Sequence, residues 1–179
     1  MPLLEGTLIT LKDKSEKKIE ELKINDELIT FSIDGLENIQ NMDILKEQEL
    51  LTFNGSFKES KIKNIWLGVS NKIYKINDSL SIDESHYIFI KRDDKYMWVK
   101  AKDCIEGDSL FKIDNEWTEI TKIEVTYEET NEEKDEGRDV YNVQMNRVYN
   151  YFASGYLVHN GDPCDACGED CGSGSGDDY

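Results

Sequence analysis

"DVYNVQMNRVYNYFASGYLVHN", residues 139–160, decides how this chain reads. It opens on DVYNVQM, a strand-like alternation of apolar and polar residues rich in Val and Tyr. Its last apolar run stops on a His-Asn pair, His159 and Asn160, with Gly161 next. Asparagine beside a flexible residue is chemically labile. Its side-chain amide nitrogen can attack its own backbone carbonyl, closing a succinimide and releasing the next residue as a new N-terminus. A preceding histidine can hydrogen-bond that carbonyl or protonate the leaving amine. In a rival reaction the Gly161 nitrogen attacks the Asn160 side chain, which deamidates it and leaves the chain whole. An Asn-Gly pair is also an ordinary turn at a strand end.

Upstream of this stretch, short strands predominate. GTLITL, DELITFSI, NKIYKI, HYIFIKR, KYMWVKA and SLFKI alternate apolar with polar residues. Turn formers such as Asp34-Gly35 and Asn54-Gly55 lie between them. The fold class is therefore all-β. Residues 37–51 are the exception, with apolar spacing that suits a helical turn or two. A weak internal echo aligns Leu22-Lys23-Ile24-Asn25-Asp26-Glu27-Leu28 with Cys104-Ile105-Glu106-Gly107-Asp108-Ser109-Leu110. Each copy follows a strand, a charged turn and a second strand, which predicts two related β-units. Cys104 falls opposite Leu22 and reads as a small buried hydrophobe. Residues 127–136 are too polar to pack and read as a solvated loop.

A formal net charge of −17 argues against nucleic-acid and anionic-membrane partners, which need clustered Lys and Arg. No apolar run is long enough to span a membrane, and no signal peptide is visible, so a reducing cytoplasmic setting is expected. No feature marks a small-molecule substrate. Residues 161–179 form an acidic tail of Gly, Ser, Asp and Cys that cannot build a core. Its Cys164, Cys167 and Cys171 suit a soft ion such as Zn²⁺, with His159, Asp162, Asp165, Asp170 or another chain supplying a fourth ligand. The same three cysteines also suit an arm that oxidises or cross-links.

Three motifs in order resemble the Hint family, the self-processing fold of inteins, bacterial intein-like domains and hedgehog C-terminal domains. EGTLITLKDKSEKKIEELKINDELIT is similar to its N-terminal motif, LSIDESHYIFI to the motif that ends in a histidine, here His86, and residues 139–160 to the C-terminal motif closing on His-Asn. The resemblance implies a pseudo-two-fold symmetric, horseshoe-like β-fold over residues 1–160, with residues 161–179 as an extended C-terminal tail, and autoprocessing without a cofactor. His86, His159 and Asn160 are its catalytic candidates.

Departures from the family pattern limit that chemistry. The splicing nucleophile falls on Pro2, which has neither a reactive side chain nor a backbone N–H. Only Met1 precedes it, so no upstream segment is expected. The family's Thr becomes Asp83, its Asp becomes Asn142, the histidine before NYFASG becomes Tyr149, and the downstream nucleophile becomes Gly161. Tyr149 can hydrogen-bond near the junction but, with an ordinary pKa of about 10, is no neutral-pH base. Splicing is thereby excluded, and slow single-turnover cleavage at Asn160–Gly161 remains. The alternative is a chemically silent Hint module in a larger assembly, for example a virion, as free-standing phage-encoded Hint proteins suggest. A protein partner is then expected. A homing nuclease is set aside, because the segment between His86 and His159 is too short to hold one.

Overall fold

Alternation at period two becomes fifteen strands among the described residues of the computed structural model, which are 2–37, 39, 41–127 and 137–160. In chain order these are β1 (Leu3–Leu4), β2 (Leu8–Thr10), β3 (Glu16–Lys18), β4 (Glu27–Ile33), β5 (Gly55–Ser70), β6 (Lys72–Ile76), β7 (Leu80–Asp83) and β8 (Tyr87–Arg92). There follow β9 (Lys95–Lys100), β10 (Ser109–Phe111), β11 (Trp117–Glu119), β12 (Ile123–Tyr127), β13 (Arg138–Met145), β14 (Asn150–Ala153) and β15 (Tyr156–His159). One sheet runs β12-β6-β7-β1-β13-β5-β4, and the other β11-β10-β8-β15-β14-β2-β3 with β9 paired to β8. This topology sets the site. The first strand lies inside one sheet, between β7 and β13, and the last lies inside the other, between β8 and β14. The link from β7 to β8 is one of the connections that pass from one sheet to the other.

The internal echo is structural. Each copy ends a strand pair with a 3₁₀ turn, Ile19–Glu21 or Ala101–Asp103. Asn25 and Gly107 then occupy the same left-handed position, at φ +73° and +98°, which Asn and Gly tolerate best. Asn25 N–H donates to the Ile62 carbonyl at 3.0 Å and Gly107 N–H to the Ile120 carbonyl at 2.9 Å. In return Ile62 N–H reaches the Asp26 carbonyl at 2.9 Å and Ile120 N–H the Asp108 carbonyl at 2.6 Å. Both carboxylates accept from the backbone N–H three residues earlier, Lys23 at 3.0 Å and Ile105 at 3.0 Å. Lys17 pairs with Asp26 at 2.9 Å, and Arg92 grips Asp108 with two bonds of 2.6 and 2.7 Å. Cys104 is buried like its counterpart Leu22, and burial pushes its thiol up to about 12, which leaves it inert.

Two apolar clusters hold the sheets together. One is aliphatic, built on Leu3, Ile9, Leu28, Ile82, Ile88 and Val158. The other is aromatic and includes Phe31, Phe89, Trp98, Phe111 and Phe152, with Phe53 packed against Phe31, Phe89 and Phe111 at centroid distances of 5.5, 5.4 and 4.8 Å. Each such side chain contributes about 1.5–3 kcal/mol on burial.

Three local readings are revised. β5 is not visible in the sequence because its first five residues are all exposed, which erases the alternation. It forms because its N-terminal half pairs with β4 and its C-terminal half with β13. The helix expected within 37–51 shrinks to one turn, α1 (Met42–Leu45), capped by the Asn41 side chain accepting from Asp43 N–H. The segment is then pinned by reciprocal backbone bonds between Leu50 and Tyr96 at 2.9 Å. Tyr127, expected to open a loop, ends β12 opposite Lys72, and 128–136 lie outside the described residues.

The two echo carboxylates differ in burial, since the Asp108 side chain is fully buried and that of Asp26 is 25% exposed. Asp108→Ala, which strands Arg92 and an N–H, is expected to lower unfolding free energy by about 3 kcal/mol, and Asp26→Ala by about 1 kcal/mol. Urea denaturation of the two variants measures the difference.

Candidate functional site

The β7–β8 link brings both ends of the domain together. Leu3 lies opposite Tyr141 on one side and Ile82 on the other, so one further residue sets Pro2 opposite Asn142 and Asp83. Asp83 N–H donates to the Pro2 carbonyl at 3.1 Å. Val158 lies opposite Ile88, and two further residues set Asn160 opposite His86. Pro2, Asp83, His86, Asn142, His159 and Asn160 therefore converge.

Asp83 shapes the link itself. Its carboxylate accepts from Ser85 N–H at 2.9 Å, Ser85 Oγ at 2.5 Å and Ser70 Oγ at 2.6 Å. Burial pushes the carboxyl up, but the Ser70 and Ser85 hydrogen bonds outweigh it and hold it below the usual range. The Asp83 carboxylate thus serves the turn. Asp83's carbonyl in turn accepts from His86 N–H at 3.1 Å, which places the imidazole.

His86 is fully buried, and its Nε2 lies 2.8 Å from the His159 carbonyl oxygen. A carbonyl only accepts, so Nε2 carries the hydrogen. Burial pushes the imidazole down to about 3, so the ring is neutral. His159 is also buried, with Nδ1 2.8 Å from the Asn160 carbonyl oxygen. By the same logic Nδ1–H of His159 donates to the carbonyl whose attack would cleave the chain. Asn160 is buried and donates its N–H to the Tyr149 carbonyl at 2.8 Å. Tyr149 thus reaches the junction through its main chain, and the residue lines a small cavity together with His159.

Asn142 is buried with its Oδ1 unpaired among the described residues. Its amide is neutral, so it brings no negative charge to the neighbourhood of Pro2. Gly161, Cys164, Cys167 and Cys171 lie outside the described residues. Among the described residues no group of three His, Cys, Asp or Glu side chains is placed to hold a metal ion, and no helix is long and apolar enough to cross a membrane.

Two residues escaped the sequence reading. Asn150 lies opposite His159 in the β14–β15 ladder, and its amide mimics a strand. Its Oδ1 accepts from Phe31 N–H at 2.9 Å and its Nδ2 donates to the Phe31 carbonyl at 2.8 Å, which ties β14 to β4. Trp98 sets its ring perpendicular to His159, with centroids 5.3 Å apart at 88°. A lone Asn inside the apolar run VYNYFA is the only signal for the first. Nothing local signals the second.

No protein-family model matches the chain, and no curated protein matches it. Solved structures do. The bacterial intein-like domain from Clostridium thermocellum superposes with a TM-score of 0.65 at 15% identity, covering 89% of this chain and 98% of that domain. The PabCDC21-1 intein gives 0.61 at 16% identity, covering 89% of this chain and 98% of the intein. A DnaB intein from Synechocystis sp. PCC 6803 gives 0.57 at 13% identity, covering 90% and 99%. The chain therefore has the all-β Hint fold shared by inteins and intein-like domains.

Because His86 is neutral when folded down to about pH 3 but takes a proton near 6.5 when unfolded, the unfolded state binds more protons between those values. Stability is thus present above pH 6.5 and is lost as pH falls through that window, by about 1.4 kcal/mol per pH unit from this one group. His86→Gln is expected to flatten the slope. Urea unfolding of both proteins from pH 7 to 4 measures it, and equal slopes contradict the assignment.

Proposed function

We propose that this chain is a Hint-type autoprocessing domain whose remaining chemistry is one cleavage, at the Asn160–Gly161 bond. The observation that carries this reading is the 2.8 Å contact from His159 Nδ1 to the Asn160 carbonyl oxygen. In the step, Asn160 Nδ2 attacks the Asn160 carbonyl carbon and gives up a proton. The bond to the Gly161 nitrogen breaks, and that nitrogen takes a proton and leaves as an amine. Residues 1–160 then end in an aminosuccinimide, and residues 161–179 depart. His159 Nδ1–H stabilises the negative charge that develops on the oxygen, in a site shielded from water. His86 holds the His159 carbonyl and so orients the peptide between the two residues.

No cofactor enters this chemistry. Splicing is left out on chemical grounds, since Pro2 offers no nucleophile for an acyl shift and Gly161 none for transesterification. One observation favours a second reading, a silent module held in a larger protein assembly: Asp83 is locked to Ser70 and Ser85, and the Asn142 amide adds no charge. In that reading Cys164, Cys167 and Cys171 would anchor the tail through Zn²⁺ or a protein partner.

Incubation of the full chain at neutral pH, followed by intact mass, separates the two. The cleavage reading expects loss of residues 161–179, abolished in Asn160→Ala and slowed about 10²- to 10⁴-fold in His159→Ala. Loss of the tail from Asn160→Ala at the parent rate contradicts it.

A further inference from the structure

The cleavage just proposed needs a hydrogen on His159 Nδ1 and that nitrogen facing Asn160. A buried imidazole does not choose a tautomer or a ring orientation unaided. A half turn about Cβ–Cγ would put Cδ2 where Nδ1 stands and remove the hydrogen bond to the Asn160 carbonyl.

Trp98 meets that need. It is 3% exposed, and its ring stands at 88° to the His159 ring with centroids 5.3 Å apart, the edge-to-face arrangement that aromatic pairs favour. Trp98 is itself held. It lies opposite Phe89 in the β8–β9 ladder, with ring centroids 5.0 Å apart. A small cavity adjoins the ring. Trp98, Leu36, Ile39, Tyr149 and Asn150 line, with His159, a cavity of about 30 Å³, room for about a water molecule. Asn150, directly opposite His159, has its amide oxygen and nitrogen both engaged by Phe31.

We propose that Trp98 is the positioning residue that fixes the His159 ring with Nδ1–H aimed at the Asn160 carbonyl. The proposal rests on the reading of His159 as the group that polarises that carbonyl. Trp98 acts through His159, the ring it packs against.

The test uses the full chain carrying Asn160→Ala, which keeps the residue-160 carbonyl and cannot cyclise. With two histidines in the chain, long-range proton–nitrogen spectra resolve the tautomer of each. In this background His159 is expected as the Nδ1–H form, and a His159 found as the Nε2–H form overturns the proposal without any further variant. Adding Trp98→Phe, which keeps an aromatic face, is expected to preserve the form. Adding Trp98→Leu is expected to give a mixture while the His86 signals stay in place. A folded Trp98→Leu chain with an unchanged His159 tautomer and unchanged contacts from the ring overturns the proposal. In the chain with Asn160 restored, Trp98→Leu is expected to slow tail release roughly tenfold and Trp98→Phe far less. Urea midpoints of the same variants separate this from general destabilisation. A parent chain that never loses its tail, yet shows the Trp98-dependent tautomer, defeats the cleavage reading and leaves the positioning role standing.

Discussion

The hydrogen bond from His86 Nε2 to the His159 carbonyl, 2.8 Å long and fully buried, is the constraint on which the site depends. It joins the β7–β8 link between the two sheets to the last strand of the second. Through the Asp83–Pro2 bond at the other end of that link, it also joins the first strand of the first. Burial keeps the imidazole neutral, so the bond is made without burying a charge. The second bond, from His159 to the Asn160 carbonyl, is built on the first, because the same peptide carries both.

The positions where the resemblance implies departures from the family pattern fall to one side of this pair. Pro2 and Asn142 face each other across β1 and β13, and Asp83 is consumed by Ser70 and Ser85. All three lie where the chain enters the domain. Where it leaves, His159 Nδ1 meets the Asn160 carbonyl and Asn160 N–H meets the Tyr149 carbonyl. The fold tolerates this asymmetry because the two ends reach the link through different strands, β1 and β15.

Much of this was legible in the sequence, for definite physical reasons. Strands rich in β-branched and aromatic residues announce themselves by composition, as β4, β8 and β13 do, although β4 and β8 are buried on both faces. The echo was legible because Asp26 and Asp108 each need a backbone N–H three residues back and a left-handed residue before them, which fixes short-range sequence. β5 was not, since its strand state is set by β4 and β13 rather than by its own exposed residues. The roles of Trp98 and Asn150 were hidden for the same reason, because each is defined by a partner distant in the chain, His159 or Phe31. Tyr149 drew notice for its side chain, whereas its carbonyl makes the contact.

The claim that Asn160 itself breaks the chain is tested most directly by the mass of the residue 1–160 fragment, collected early at mildly acidic pH, where succinimides survive. Cyclisation predicts a fragment one water lighter than the free acid, converted by hydroxylamine to a hydroxamate. A fragment that carries the full mass of the acid from its first appearance, and does not react with hydroxylamine, would mean that hydrolysis and not Asn160 cuts the bond.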